Sequence, residues 1–279
     1  MACTTAECYR ARSAPPKTAV AGRETVLLLH GSAGNGAMWR HAGAALKSLY
    51  RVLTPDLIGY GTSVEWPADV AFDLRAERAV LEPLLACCAE TFHLVGYSYG
   101  GVVALNLALA QPQRVRTLTL IEPVFFSALR YAERWRALAE LLHIRDRYVR
   151  DLERGGAEAA LPSFIDFWTG SGAWQKLPPS LRAEMLRCAG KIVLDWQAAF
   201  AFAPDRKALA ELGQRTVMLR GDESPSAMQR LVDCLHDLMP GSTLQVLAGA
   251  NHLLPLARAQ DVTAAILAHL HVDAERRLR

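Results

Sequence analysis

The chain has 279 residues, 51% of them apolar and 21% charged, with a formal net charge of +3. That is enough to bury a large core, as one domain or as a domain carrying an insertion. No run of five or six like charges occurs and the arginines alternate with acids, as in RDRYVRDLER (145–154), which argues against a nucleic-acid surface. No segment reaches the roughly 18 apolar residues of a membrane span, and residues 1–24 (MACTTAECYRARSAPPKTAVAGRE) lack the apolar core of a signal peptide. The six cysteines (3, 8, 87, 88, 188 and 234) show no metal-binding spacing, so buried thiols in a reducing, cytoplasmic compartment are expected, with no disulfide framework, metal or cofactor.

Residues 1–23 read as a loose N-terminal arm, polar and punctuated by proline. ETVLLLHG (24–31) is a continuous apolar run ending in glycine, the pattern of a strand buried on both faces. MWRHAGAALKSL (38–49) is helical, YRVLTPDLIGYGTS (50–63) is a strand entering a loop, and DLRAERAVLEPLLACCAE (73–90) is an amphipathic helix disturbed at Pro83. TFHLVGYSYGG (91–101) is a strand stopping at a glycine turn, followed by helix VVALNLALAQ (102–111) and strand VRTLTLIEP (115–123). Residues 124–213 then read as helices, with tryptophans at 135, 168, 174 and 196 and a break at LPPS (177–180). Strands resume with RTVMLRG (215–221) and STLQVLAG (242–249), each followed by a helix, over 226–238 and 256–271. Strand–helix alternation predicts a parallel sheet with helices on both faces. The helical stretch inside it reads as an insertion at one sheet edge.

GYSYGG fits G-x-S-x-G at residues 96–100, between a predicted strand and a predicted helix. A serine projecting from so tight a turn needs small neighbours, which Gly96 and Gly100 supply. Together with HGSAGNGAMW (30–39), PDLIGYGTS (55–63) and GANHLLPLARAQDV (249–262), in this order, the turn resembles the landmarks of the α/β-hydrolase superfamily, from about residue 24 to 271. The resemblance implies an α/β-hydrolase fold with a core of residues 24–123 and 214–279 and a helical lid at 124–213. The short N-terminus leaves little room for the family's opening hairpin.

The resemblance also implies roles. Ser98 is the nucleophile, which needs an adjacent base because a serine hydroxyl is poorly nucleophilic at neutral pH. Among eight histidines, His252 stands where the family keeps that base. His30 is read as a buttress of the loop after the first strand, and His93 as a core residue. His41, His143, His236, His269 and His271 are surface or packing residues. The backbone N–H groups of Ser32 and Tyr99 form the oxyanion hole. The acid is less direct. The family's common position, third after the glycine ending a late strand, is Ser224 in GDESP (221–225). A second family solution puts the acid at the end of the preceding core strand, where LIEP offers Glu122. Glu122 is the first candidate and Asp222 the alternative; as a bland alternative, either is a strand-end or turn residue. Tyr97, Phe125, Phe126 and Trp168 are candidates for an apolar substrate pocket, although aromatics at helical spacing also serve as lid core.

These readings predict a serine hydrolase acting on small, fairly apolar carboxylic esters or related acyl compounds, with a small-molecule acyl substrate as its partner. A serine rather than an aspartate nucleophile argues against epoxide opening and halide displacement. An acyltransferase or a C–C bond hydrolase would use the same residues, and a non-catalytic binder that kept the fold is the rival of another class.

Overall fold

A computed structural model describes residues 23–67, 70–88 and 90–277. The arm expected over 1–23, apart from Arg23, and the question of an opening hairpin lie outside the described residues. Six strands form one parallel sheet in the order β2-β1-β3-β4-β5-β6: β1 (Thr25–Leu29), β2 (Arg51–Leu53), β3 (Phe92–Tyr97), β4 (Val115–Ile121), β5 (Arg215–Gly221) and β6 (Ser242–Leu247). Helices α1 (Arg40–Leu46), α2 (Leu74–Ala86) and α3 (Tyr99–Ala110) connect the first four strands. Between β4 and β5 the described chain is helical throughout its regular elements: α4 (Ser127–Tyr131), α5 (Trp135–Thr169), α6 (Ala173–Lys176), α7 (Pro179–Arg187), α8 (Ala189–Ala201) and α9 (Arg206–Ala210). Helix α10 (Ser226–Leu238) links β5 to β6, and α11 (Leu254–Ala257) and α12 (Ala259–Arg277) close the chain.

The sheet is covered on both faces because its strands alternate between two apolar layers. Val26 and Leu28 of β1, Val95 of β3 and Val217 and Leu219 of β5 pack with Trp39 and with α1 and α12. Leu27 and Leu29, Leu94, Leu118, Leu120 and Met218 face the other way, toward α2, α3 and α10. Burial on both faces makes TVLLL an unbroken apolar run. Asp73 caps α2 by accepting from the backbone N–H groups of Arg75 and Ala76. Pro83 sits inside α2 without ending it. The long α5 is kinked at Gly156, whose φ of 72° breaks helical geometry.

Register decides where chemistry-bearing residues fall. Tyr97 pairs with Ile121 across β3 and β4, so Ser98 and Glu122 are each the first residue beyond neighbouring strand ends. Both have positive φ, 52° and 41°. Of the expected buried thiols, Cys3 and Cys8 lie outside the described residues; Cys234 is buried, Cys88 and Cys188 are half-buried, and Cys87, just past the end of α2, is exposed, all four of them free. Among the described residues no helix is long and apolar enough to cross a membrane.

Candidate active site

The turn at Ser98 is compressed enough to require its glycines. A Cβ on Gly96 would stand 2.4 Å from the Gly100 carbonyl oxygen, and one on Gly100 would stand 2.3 Å from the His30 carbonyl oxygen. Only residues without a side chain let the loop after β1 and the start of α3 approach this closely. Ser98 caps α3, and Tyr99 N–H is the first backbone amide of that helix, at the positive end of the helix dipole.

Three side chains from three separate turns meet here. Ser98 Oγ lies 3.1 Å from His252 Nε2, and His252 Nδ1 lies 2.6 Å from Glu122 Oε2. Glu122 is fully buried. Its second oxygen, Oε1, accepts from the Gly221 backbone N–H at 2.7 Å and from the Ser224 hydroxyl at 2.5 Å. Ser224 therefore holds the carboxylate of Glu122 from the turn where the common pattern would place the acid itself. Asp222, the alternative candidate, is exposed and accepts from the Gly249 backbone N–H at 2.7 Å. With Nδ1–H donated to a carboxylate, His252 presents a lone pair at Nε2 toward the serine.

Ser32 and Tyr99 both border the cavity beside Ser98. The loop carrying Ser32 is held by His30, which is wholly buried. Leu57 N–H donates to His30 Nε2 at 2.9 Å, so the ring proton sits on Nδ1 and is donated to the Gly31 carbonyl at 2.8 Å. Burial drives the His30 pKa down to about 4 and keeps this ring neutral.

The cavity has a volume of about 550 Å³ and reaches Ser98 and His252. Trp168 of α5 lies with its ring centroid 4.7 Å from that of His252, and Phe126 stacks on Trp196 at 5.1 Å. Tyr97 also tilts against His252 at 5.2 Å, and its hydroxyl donates to the His252 carbonyl at 2.8 Å. Burial, with Glu122 nearby, raises the Tyr97 pKa and leaves the phenol neutral. Tyr97, Phe126 and Trp168 border the cavity. Phe125 does not fall with them: it is packed into the core against Tyr131 and Phe202. Helical spacing alone does not separate those two fates. The other histidines also separate by surroundings. His93 is buried in β3 against Thr117, and His269 is buried against Thr119, whereas His41 is exposed at the cavity edge.

One constellation escapes a motif search. Lys191 and Asp195 of α8 are buried and paired, and Lys191 also donates to Glu77 of α2 at 3.0 Å. Asp195 Oδ2 accepts from the Ser32 hydroxyl at 2.6 Å and from the Tyr60 hydroxyl at 2.5 Å. Burial pushes the Asp195 and Glu77 carboxyls above their ordinary range, against the pull of Lys191. The same burial opposes the Lys191 charge, but the two carboxylates outweigh it and raise its pKa. The signal available in the sequence is a Lys–Asp pair four residues apart in AGKIVLDWQAAFA, an otherwise apolar helix.

A family model described as "Alpha/beta hydrolase family" matches residues 26–266. The chain belongs to the alpha/beta hydrolase family. Among similar proteins, the pimeloyl-[acyl-carrier protein] methyl ester esterase of Aeromonas hydrophila is 40% identical over 96 residues, 34% of this chain and 36% of that protein. The dihydrolipoyllysine-residue acetyltransferase component of the acetoin cleaving system of Cupriavidus necator is 26% identical over 89% of this chain and 64% of its own length. The chain thus matches less than two thirds of either relative. The crystal structure of the enol-lactonase from Burkholderia xenovorans shares the fold, with a TM-score of 0.71 and 19% identity over 89% of this chain and 92% of that one.

Proposed function

We propose that this chain is a serine hydrolase that cleaves small, fairly apolar carboxylic esters or related acyl compounds. The observation that carries the reading is the continuous hydrogen-bonded line from Ser98 Oγ through the His252 ring to Glu122. It opens on a largely apolar cavity. The esterase named among the similar proteins is consistent with ester chemistry.

In the proposed reaction Ser98 Oγ attacks the substrate carbonyl carbon while its proton passes to His252 Nε2. The carbonyl π electrons move to oxygen, and that oxyanion is held by the Ser32 and Tyr99 N–H groups. Collapse breaks the bond to the alkoxide, which takes the proton from Nε2 and leaves as the alcohol. Water then attacks the acyl-enzyme with its proton going to Nε2, and Ser98 departs reprotonated as the carboxylic acid is released. Glu122 keeps the ring proton on Nδ1 and stabilises the imidazolium between the two transfers. Residues 124–213 act as a lid, contributing Phe126, Trp168 and Trp196 to the substrate's surroundings. The acid role belongs to Glu122 rather than Asp222 because only Glu122 shares a hydrogen bond with His252.

The test is covalent labelling by a fluorophosphonate, read by intact mass, alongside hydrolysis of a p-nitrophenyl ester series. Wild type is expected to gain one adduct and Ser98→Ala none, with hydrolysis lost in parallel. A folded wild type that neither labels nor turns over any ester would favour a binder that kept the fold. Product analysis with an added alcohol separates hydrolysis from acyl transfer, the activity named for the Cupriavidus relative.

A further inference from the structure

The Gly31–Ser32 peptide is gripped at both ends. Its carbonyl accepts from His30 Nδ1 at 2.8 Å, and the Ser32 side chain donates to Asp195 Oδ2 at 2.6 Å. Its N–H is the donor from this loop that the proposed reaction uses. The two grips are joined, because Tyr60 donates to the same Asp195 oxygen while its ring stands edge-on to His30, 5.5 Å away at 85°. Asp195 is not part of the hydrolase core. It sits on α8, between β4 and β5 in the chain, 163 residues from Ser32.

We infer that Asp195 is a positioning residue for the oxyanion loop: through the Ser32 hydroxyl it sets the direction of the Ser32 N–H, so that the seating of α8 and the assembly of the oxyanion hole are one event. This inference rests on the serine-hydrolase reading above. The physical difficulty is that a carboxylate beside a site where an oxyanion develops is electrostatically unfavourable. Lys191 answers it. Four residues earlier on the same helix, Lys191 pairs with Oδ1 of Asp195, the oxygen that Ser32 and Tyr60 do not use. Its ammonium also reaches Glu77 and lies over the Tyr60 and Tyr99 rings, 5.1 and 4.8 Å from their centroids. The carboxylate thus keeps its strength as a hydrogen-bond acceptor while a buried cation, shared with Glu77, offsets part of its charge. Tyr99, whose N–H is the other proposed oxyanion donor, is tied to the same cluster through its hydroxyl, 3.3 Å from Glu77. Both donors therefore answer to one buried network.

The test compares wild type, Ser32→Ala, Asp195→Asn and the double variant, using a p-nitrophenyl ester that wild type hydrolyses and Ser98→Ala does not. Ser32→Ala keeps the backbone N–H and removes only the tether, so it is expected to melt near wild type. Each single variant is expected to lose about 10- to 30-fold in kcat with KM within about twofold, since donor direction acts on the transition state. The double variant is expected to be no worse than the poorer single. Affinity for a trifluoromethyl ketone, which forms an oxyanion on Ser98, should fall in proportion to kcat/KM. A purely structural role would lower the melting temperature while leaving kcat and ketone affinity per folded molecule unchanged, and that result overturns the inference. So does a loss confined to KM, which would make Asp195 a substrate-binding group, or losses that multiply in the double variant. An inactive, unlabelled wild type would overturn the serine-hydrolase reading and this inference with it.

Discussion

Replacing Glu122 by glutamine keeps volume and shape and changes one thing, the hydrogen-bond sense at His252. In wild type both Glu122 oxygens are in use: Oε1 accepts from Gly221 N–H and the Ser224 hydroxyl, and Oε2 faces His252 Nδ1. Gly221 N–H can only donate, so the glutamine oxygen must stay on that side and its NH2 must face Nδ1. Turning the amide over would set NH2 against a buried N–H, leaving donors unsatisfied at a cost of about 1–3 kcal/mol each. Nδ1 is therefore forced to accept, the ring proton moves to Nε2, and Nε2 can no longer take a proton from Ser98. Loss of the correct tautomer has cost about 10⁴ in kcat in another triad enzyme, equivalent to about 5.5 kcal/mol. For Glu122→Gln we expect a fall of about 10³–10⁴ in kcat with KM nearly unchanged. Asp222→Asn, at an exposed turn, should stay within about twofold. The assay is steady-state ester hydrolysis with active-site titration by a fluorophosphonate. A Glu122→Gln enzyme within about tenfold of wild type, or a larger loss in Asp222→Asn, would refute the reasoning.

If the acid position can move between strands, Ser224→Asp in the Glu122→Gln background should recover about 10- to 100-fold of the lost rate; no recovery would mean that residue 224 cannot reach the histidine. Ser224→Asp alone should instead slow the enzyme, because two buried carboxyls side by side cannot both ionise. Acid stability offers a third check. His30 and His269 are buried and held at about 4, below the ordinary 6.5, chiefly by burial. Their depressed values stabilise the fold above about pH 6.5, and this contribution is lost as pH falls toward 4, about 2 kcal/mol for each between pH 7 and 5. The raised Glu77 and Asp195 carboxyls work in the opposite direction, so the measurement is a difference. Wild type should lose about 2 kcal/mol more than His269→Gln over that interval in urea unfolding, and equal losses would refute the assignment. Trp168→Ala removes the ring against His252 and enlarges the cavity. It should raise KM for short apolar esters about tenfold and widen the acyl lengths accepted, read from a p-nitrophenyl ester series.

The order of the elements is legible because each strand carries its own signature. A continuous apolar run marks β1, buried on both faces, the stop at a glycine turn marks β3, and the helical period marks α2 and α10. Boundaries slip where the motif overrides periodicity. The apolar pattern suggests a helix from residue 102, but α3 begins at Tyr99 because the serine turn feeds straight into it. Ser98 stands out from its own G-x-S-x-G turn, whereas Glu122 and His252 stand out because the resemblance to the α/β-hydrolases puts an acid at that strand end and a base in that loop. The Ser224–Glu122 bond has none, since it joins residues 102 apart in the chain. Phe125 and Phe126 are adjacent, yet one faces core and the other cavity. The Ser32–Asp195 tether is the most distant of all and depends on how α8 seats, which no local pattern encodes.

The sheet order explains why the site forms where it does. β2 lies on one side of β1 and β3 on the other, so the chain leaves neighbouring strands β1 and β3 in opposite directions. A crevice opens between their carboxyl ends. Of the four non-glycine residues with positive φ among those described, three follow the ends of β1, β3 and β4: Ala33, Ser98 and Glu122. Backbone held at positive φ costs about 1–3 kcal/mol for each such residue. Three such costs at one crevice persist only if the surroundings fix them. At Ser98 and Glu122 they are fixed by the Gly96–Gly100 contact, by the register that sets the two side by side, and by the bonds from Gly221 and Ser224 to the Glu122 carboxylate. Strain gathered on these strand ends serves reach. A residue that turns back at a strand end points its side chain over the sheet edge rather than into either apolar layer. Neighbouring strands turning back together bring hydroxyl and carboxylate within one imidazole's span.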